Sequence, residues 1–377
     1  MNLESSPRVD EFELSLFGTG IGESIAIHTG NNEWLLIDSC RKNSDNLPEN
    51  LSYLKTIGVD TEECVKLFLI THWHDDHIDG AVEIVKNCPN AKVAISAALS
   101  GDEFFKILSI YNQENYILDR EKSGVRELGK VFEFIRRKKE ENPNTNSIVR
   151  TRSDHLLFNN PFCNVHAISP SDNAIDNSVQ EFSSVLRQIS KNGERLVLSS
   201  PNRNHNAVAL WIQFKSQTIL LGSDLESTND NMTGWASVSN INLFKSLPKE
   251  AKLFKIPHHG SPNGDHESIW KNLVSKDTPI LVLTSYSRGK NPRPSRDDLG
   301  RLLTHTSDLY CTSIPKRSVV RRDPGVDRTM REASKKRWSI GKIFGQIRIR
   351  GMGLEDQYSV ECIGSALQVR SVNDLYS

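Results

Sequence analysis

The chain has 377 residues, with 47 acidic and 47 basic side chains, so net charge singles out neither a polyanionic nor a polycationic partner. It is long enough for a sizeable core, and it has no apolar run of membrane-spanning length, which excludes a transmembrane helix and a membrane partner. Residues 1–7 (Met-Asn-Leu-Glu-Ser-Ser-Pro) show neither a basic nor an apolar leader segment. The six cysteines (Cys40, Cys64, Cys88, Cys163, Cys311, Cys362) form no Cys-x-x-Cys pair. That argues against a disulfide framework or a cysteine zinc site and for a reducing, cytoplasmic location.

The predicted elements begin with alternating stretches at 12–17, 24–28 and 34–38, which read as antiparallel strands. The glycines at 18, 20 and 22 do not make a dinucleotide site, because a strand follows them where a helix N-terminus would be needed. They predict a tight loop instead. Residues 49–58 and 81–87 read as helices flanking the apolar strand 65–70, and 92–96 reads as the next strand. From 101 to 160 the pattern is helical and charged and is taken as a helical insertion. Its basic end at 136–139 fits a solvated helix C-terminus, favoured by the helix dipole.

Directly after strand 65–70 comes Thr71-His72-Trp73-His74-Asp75-Asp76-His77. Imidazole and carboxylate are the ligands that borderline metals such as zinc favour. His72 and His74 lie two apart in extended chain, so their rings share a side. Asp76 and His77 follow where the chain turns and are placed to address a second metal. A strand–loop–helix junction is where α/β sheets hold their sites.

Two later segments repeat the arrangement. His205-Asn206 opens a hairpin, 205–214 and 218–224, whose second strand ends at Asp224. The strand at 253–256 ends in Pro257-His258-His259-Gly260-Ser261, and Gly260 permits close backbone approach. One of the two histidines is expected to bind the second metal, with His258 preferred because it comes first. His259 is then the candidate for substrate binding or proton donation.

The His-x-His-x-Asp-His pattern resembles that of the metallo-β-lactamase superfamily. Asn206 to Leu210, Gly222-Ser223-Asp224, Lys255 to Ser261, and the strand-like 345–350 and 358–362 resemble its ComEC-like hydrolase subgroup. The resemblance covers about residues 12–100 and 160–370 and implies a single αββα sandwich of the α/β class over 1–377. It also implies that Asp38 braces the metal loop and that Asp224 bridges two metals. His205 and Asn206 compete for the last ligand position of the first metal, and Gly-Ser-Asp carries one residue more than the subgroup's Gly-Asp.

No Gly-x-Ser-x-Gly elbow or base-paired cysteine supplies a protein nucleophile. A dinuclear site of two Zn2+ or Mn2+ ions needs none, since it activates bound water near neutral pH. Asp76 and His259 are the catalytic candidates. The expected function is a metal-dependent phosphodiesterase or nuclease, with a defence or toxin-like system as one setting. The alternatives are a hydrolase of lactams, esters or thioesters, and a non-catalytic metal-stabilised binding module. A basic segment at 316–345 holds Arg321, Arg322, Lys335, Lys336 and Arg337, with Trp338 and Phe344 available to stack on bases. With Lys255 and Ser261, those five are the candidate contacts to nucleic acid or nucleotide. A mobile solvated loop or a docking site for an acidic protein fits the same segment, and a protein partner that regulates activity is a further expectation.

Overall fold

The computed structural model describes residues 5–43, 46–112, 123–143, 148–192, 203–245, 250–288, 291–315, 344–352 and 358–372. The chain first lays down β1 (Phe12–Gly18), β2 (Glu23–Thr29), β3 (Trp34–Ile37), β4 (Val65–Ile70), β5 (Lys92–Ser96) and β6 (Val149–Thr151). There follow β7 (His155–Asn159), β8 (Cys163–Ala167), β9 (Leu210–Phe214), β10 (Gln217–Leu221), β11 (Leu253–Lys255), β12 (Ile280–Leu283) and β13 (Leu309–Cys311). Last come β14 (Gly345–Gly351), β15 (Ser359–Gly364) and β16 (Leu367–Val369). They form two eight-stranded sheets, in the orders β15-β14-β1-β2-β3-β4-β5-β6 and β16-β13-β12-β11-β10-β9-β8-β7.

Strand alternation explains the layering. Leu35, Ile37, Leu67 and Leu69 point into the space between the sheets and meet Ile212, Ile219, Leu221, Leu253 and Val282 there. Their neighbours Leu36, Phe68 and Ile70 face the opposite way. Helices α1 (Glu49–Thr56), α4 (Ala81–Asn87), α5 (Asp102–Asn112), α6 (Ser123–Glu141) and α7 (Asp172–Asn192) cover that outer face. Trp211, Leu220, Phe254, Leu281 and Leu283 point outward from the second sheet onto α8 (Gly234–Val238), α9 (Glu267–Asn272) and α10 (Arg296–Leu302). The two short helices α2 (Thr61–Cys64) and α3 (Asp75–Ile78) flank β4. The result is the expected αββα sandwich, in which the central strands bury both faces.

In both sheets antiparallel hairpins give way to parallel strands, β3 to β6 in one and β10 to β13 in the other. Loops after parallel strands carry sites in α/β sheets, and the candidate residues follow β3, β4, β10, β11 and β12.

The span 101–160 is not wholly helical. Its last part supplies β6 and β7, edge strands of the first and second sheets. Each is short, at three and five residues, which leaves little period-two signal. The basic end of α6 is tied up within the helix, where Arg136 pairs with Glu140 and Arg137 with Glu133. Arg321, Arg322, Lys335, Lys336 and Arg337 lie outside the described residues. Among the described residues no helix is long and apolar enough to cross a membrane.

Candidate metal centre

The first half of the site is built around Asp38, buried at the end of β3 in a left-handed backbone conformation, φ 56°. One carboxylate oxygen accepts from the Thr71 amide and the other from the Thr71 hydroxyl, both at 2.7 Å. The second oxygen also accepts from His77 Nδ1 at 2.8 Å. With its own proton given to Asp38, the Thr71 hydroxyl is left to accept from His72 Nδ1, 3.0 Å away. One buried acid thus fixes the tautomer of two imidazoles and leaves each with a bare Nε2.

The second half comes from the second sheet. Asp224 follows β10 through Ser223, whose left-handed φ of 46° turns the chain. His258, His259 and Gly260 after β11 also have positive φ, at 46°, 53° and 81°. Three left-handed residues in succession are costly unless the surroundings impose them. Here Arg301 Nη2 holds the Gly260 carbonyl at 2.7 Å, and the His258 amide donates to Ser223 O at 3.1 Å. The turn swings the His259 ring inward. Its Nδ1 donates to Thr284 Oγ1 at 3.0 Å, and Thr284 donates to Glu23 at 2.5 Å. Its Nε2 is bare like the others.

The polar atoms converge. His72 Nε2 lies 3.1 Å from His74 Nδ1 and 4.0 Å from Asp224 Oδ2. His77 Nε2 lies 3.5 Å from Asp224 Oδ2 and 3.9 Å from Asp76 Oδ2. His259 Nε2 lies 3.4 Å from Asp76 Oδ2 and 3.8 Å from Asp224 Oδ2. Two ligands of one tetrahedral zinc are about 3.3 Å apart, given bond lengths near 2.1 Å. The atoms sort into a set of His72, His74 and Asp224 and a set of Asp76, His77, Asp224 and His259, sharing Asp224. Asp38 also lies within reach of His72 and His77, but both its oxygens are already engaged.

The donor set fits divalent metal. Among the described residues, His77 Nε2, His259 Nε2 and Asp224 Oδ1 are buried without a hydrogen-bond partner. Such orphaned groups are costly unless something else satisfies them. Burial, reinforced by the rings of His77 and His74, holds His72 well below its ordinary pKa and so neutral. Burial alone would raise Asp76, but His259 and His77 outweigh it and keep the carboxylate charged. Despite burial, the Asp224 and Asp38 carboxylates draw positive charge onto His77, raising it well above its ordinary pKa, and a bound cation would supply that charge instead.

Of the residues singled out in the sequence, the structure gathers His72, His74, Asp76, His77, Asp224 and His259 and places Asp38 behind them. The preference for His258 over His259 does not match the geometry. His258 Nδ1 faces Glu226 Oε1 at 3.1 Å and Asn263 Oδ1 at 2.9 Å, outside both ligand sets. His205 also turns to Glu226, at 3.9 Å, and joins neither set. Asn206 is buried, its Nδ2 against Ser178 Oγ, and its Oδ1 has no hydrogen-bond partner among the described residues. Lys255 does not face substrate. It is wholly buried, with Nζ 2.5 Å from Glu23 Oε1 and 3.0 Å from Ser223 O. Ser261 lines a small cavity with Trp270 and Arg301. Thr71, Thr284, Glu23, Glu226 and Tyr286 were not anticipated; Thr71 and Thr284 share the strand-end position that marked the others.

No protein-family model matches the sequence. Among solved structures, the chain is similar to the metallo-β-lactamase fold protein YhfI from Bacillus subtilis. The identity is 11%, with 79% of this chain and 95% of that one covered and a TM-score of 0.38. Zn(2+)-bound PqqB from Methylobacterium extorquens is 10% identical over 62% of this chain and 59% of its own (TM-score 0.31). The FEZ-1 metallo-β-lactamase from Legionella gormanii is 14% identical over 60% and 67% (TM-score 0.30). These likenesses concern the path of the chain; the roles of residues rest on the geometry above.

Proposed function

We propose that this protein is a metal-dependent hydrolase of phosphodiesters, in nucleic acid or nucleotides, and that it belongs with the ComEC-like hydrolases. The observation that carries the reading is the pair of ligand sets joined at Asp224. Two divalent ions, zinc or manganese, bound there would supply Lewis acidity toward phosphoryl oxygens and a water acidified to near neutral pH. His72, His74 and Asp224 would hold one ion; Asp76, His77, His259 and Asp224 the other. Asp38, Thr71 and Thr284 keep the protons of His77, His72 and His259 on Nδ1, so that the Nε2 of each stays available. Since His259 is taken up by the cluster, donation of a proton to the departing oxygen falls to its neighbour His258, which Glu226 orients.

The phosphodiester assignment is supported by the sharing of Asp224 between two ligand sets, since paired ions suit in-line displacement, and by the basic composition of 316–345. The test is cleavage of labelled single- and double-stranded DNA and RNA by zinc- or manganese-loaded protein, beside Asp76→Ala. Cleavage that the substitution abolishes is the expected result. Metal-replete, folded protein that leaves all four substrates intact but opens a lactam or thioester would replace the reading with a carbonyl hydrolase.

A further inference from the structure

Tyr286 lies two residues beyond Thr284 on the extension of β12. In extended chain, residues two apart point to the same side, and both of these meet His259. Thr284 holds its Nδ1 at 3.0 Å, while the Tyr286 ring stacks against the imidazole, centroids 5.3 Å apart and planes 29° apart. The Tyr286 backbone is pinned. Its amide donates to Arg293 O at 2.7 Å, its carbonyl accepts from Arg293 N at 2.8 Å, and the next amide donates to Gly20 O at 2.7 Å. The side chain is therefore held in place before any ligand arrives.

The hydroxyl is the unexplained part. Tyr286 is half-buried, yet its hydroxyl makes no hydrogen bond with any described residue. The Tyr286 side chain sits close enough to Asp76, Asp75 and Asp224 to feel their charge, with Arg288 also within electrostatic reach. It neither caps a strand nor braces a ligand. It is a neutral donor held beside the cluster.

We propose that the Tyr286 hydroxyl donates a hydrogen bond to a non-bridging phosphoryl oxygen of the substrate, making Tyr286 a catalytic residue of the centre. The proposal rests on the metallo-hydrolase reading and adds the group that meets the substrate from the protein side. The bond strengthens as charge gathers on that oxygen during attack, so its benefit is greatest at the transition state. No covalent bond to the tyrosine is made or broken.

The experiment compares wild type, Tyr286→Phe and Tyr286→Ala, each loaded with zinc and checked for equal metal content. Inorganic phosphate is titrated into each calorimetrically, and diester cleavage is measured alongside. In Tyr286→Phe the ring stays on His259 and only the hydroxyl goes. Phosphate affinity is expected to fall about tenfold or more, as for a lost bond to a charged group. The rate constant for cleavage is expected to fall about 10- to 100-fold, with zinc affinity and thermal midpoint unchanged. Wild-type phosphate affinity in Tyr286→Phe, with loss only in Tyr286→Ala, would show that the ring merely packs on His259 and would overturn the proposal. Failure of the zinc-loaded wild type to bind phosphate would overturn it as well. Failure of the phosphodiesterase reading shows separately, as no cleavage by a wild type that still binds phosphate more tightly than Tyr286→Phe.

Discussion

Asp38 and His77 meet at 2.8 Å, carboxylate Oδ2 on imidazole Nδ1, and the same carboxylate holds Thr71 at two points. An acid from the end of β3 thereby orients two imidazoles that follow β4. Asp38→Asn keeps the shape but removes the charge and an acceptor. Metal affinity is expected to fall about 10- to 100-fold, as for other outer partners of metal-binding histidines. Competition with a chromophoric chelator measures it, and an unchanged affinity would refute the bracing role.

The two adjacent histidines have opposite assignments. His259→Ala is expected to lower the bound metal from two ions to one, because it removes the ligand of the Asp76–His77 set. His258→Ala is expected to retain both ions while slowing turnover. Elemental analysis after gel filtration decides between this and the reverse.

Lys255 and Glu23 form a buried ion pair, with side chains 0% and 2% exposed. Lys255→Met strands a carboxylate in the interior. A loss of about 3–5 kcal/mol is expected from breaking such a pair on one side. The double variant Lys255→Met/Glu23→Leu is expected to recover part of it. Urea unfolding of the four proteins gives the comparison.

His28 is buried, donates from Nδ1 to Glu11 O at 2.8 Å and packs on Trp34. Burial pushes its pKa down to about 4, despite the Glu11 carbonyl. The unfolded chain binds a proton near pH 6.5 that the folded chain refuses until about pH 4. The unfolded state therefore holds more protons in that window, and stability falls as pH drops from about 6.5 to about 4. In His28→Gln the slope of unfolding free energy against pH is expected to be smaller by about one proton in that window. Equal slopes would contradict the assignment.

A Cβ at Gly124, in the first turn of α6, would lie 2.7 Å from Trp73 O and 2.8 Å from Asp75 Oδ1. The Gly124 amide donates to that same Asp75 oxygen at 2.7 Å. Gly124→Ala is expected to cost about 1–3 kcal/mol, as overpacking does. It should also loosen zinc binding, because it displaces the loop between His72 and His77. A variant equal to wild type in both respects would show that the helix and loop are independent.

What could be read from the sequence followed the strand ends. A polar cluster after a buried apolar run is visible without coordinates, and His72, His74, Asp76, His77 and Asp224, which the structure brings together, were singled out that way. That His259 rather than His258 joins the cluster was not legible, because the left-handed conformation at His258 and His259 has no marker except Gly260 after them. Lys255 was grouped with the candidate contacts to nucleic acid, and lysine is seldom buried. Yet it alternates with Phe254 and shares the parity of Leu253, which points between the sheets. Glu23 and Thr284 are 261 positions apart, a relationship no local pattern announces.

The ligand sets draw on both sheets, His72 to His77 from the first and Asp224 and His259 from the second. An ion held between them works as a fastener across the sandwich, and fasteners act in both directions. Whatever tightens the seam must also tighten the grip on metal, since the two equilibria share one free energy. Phe12 and Phe214 pack in a tilted pair across that seam with centroids 5.4 Å apart. Trimming either ring should therefore weaken zinc binding without touching a single ligand.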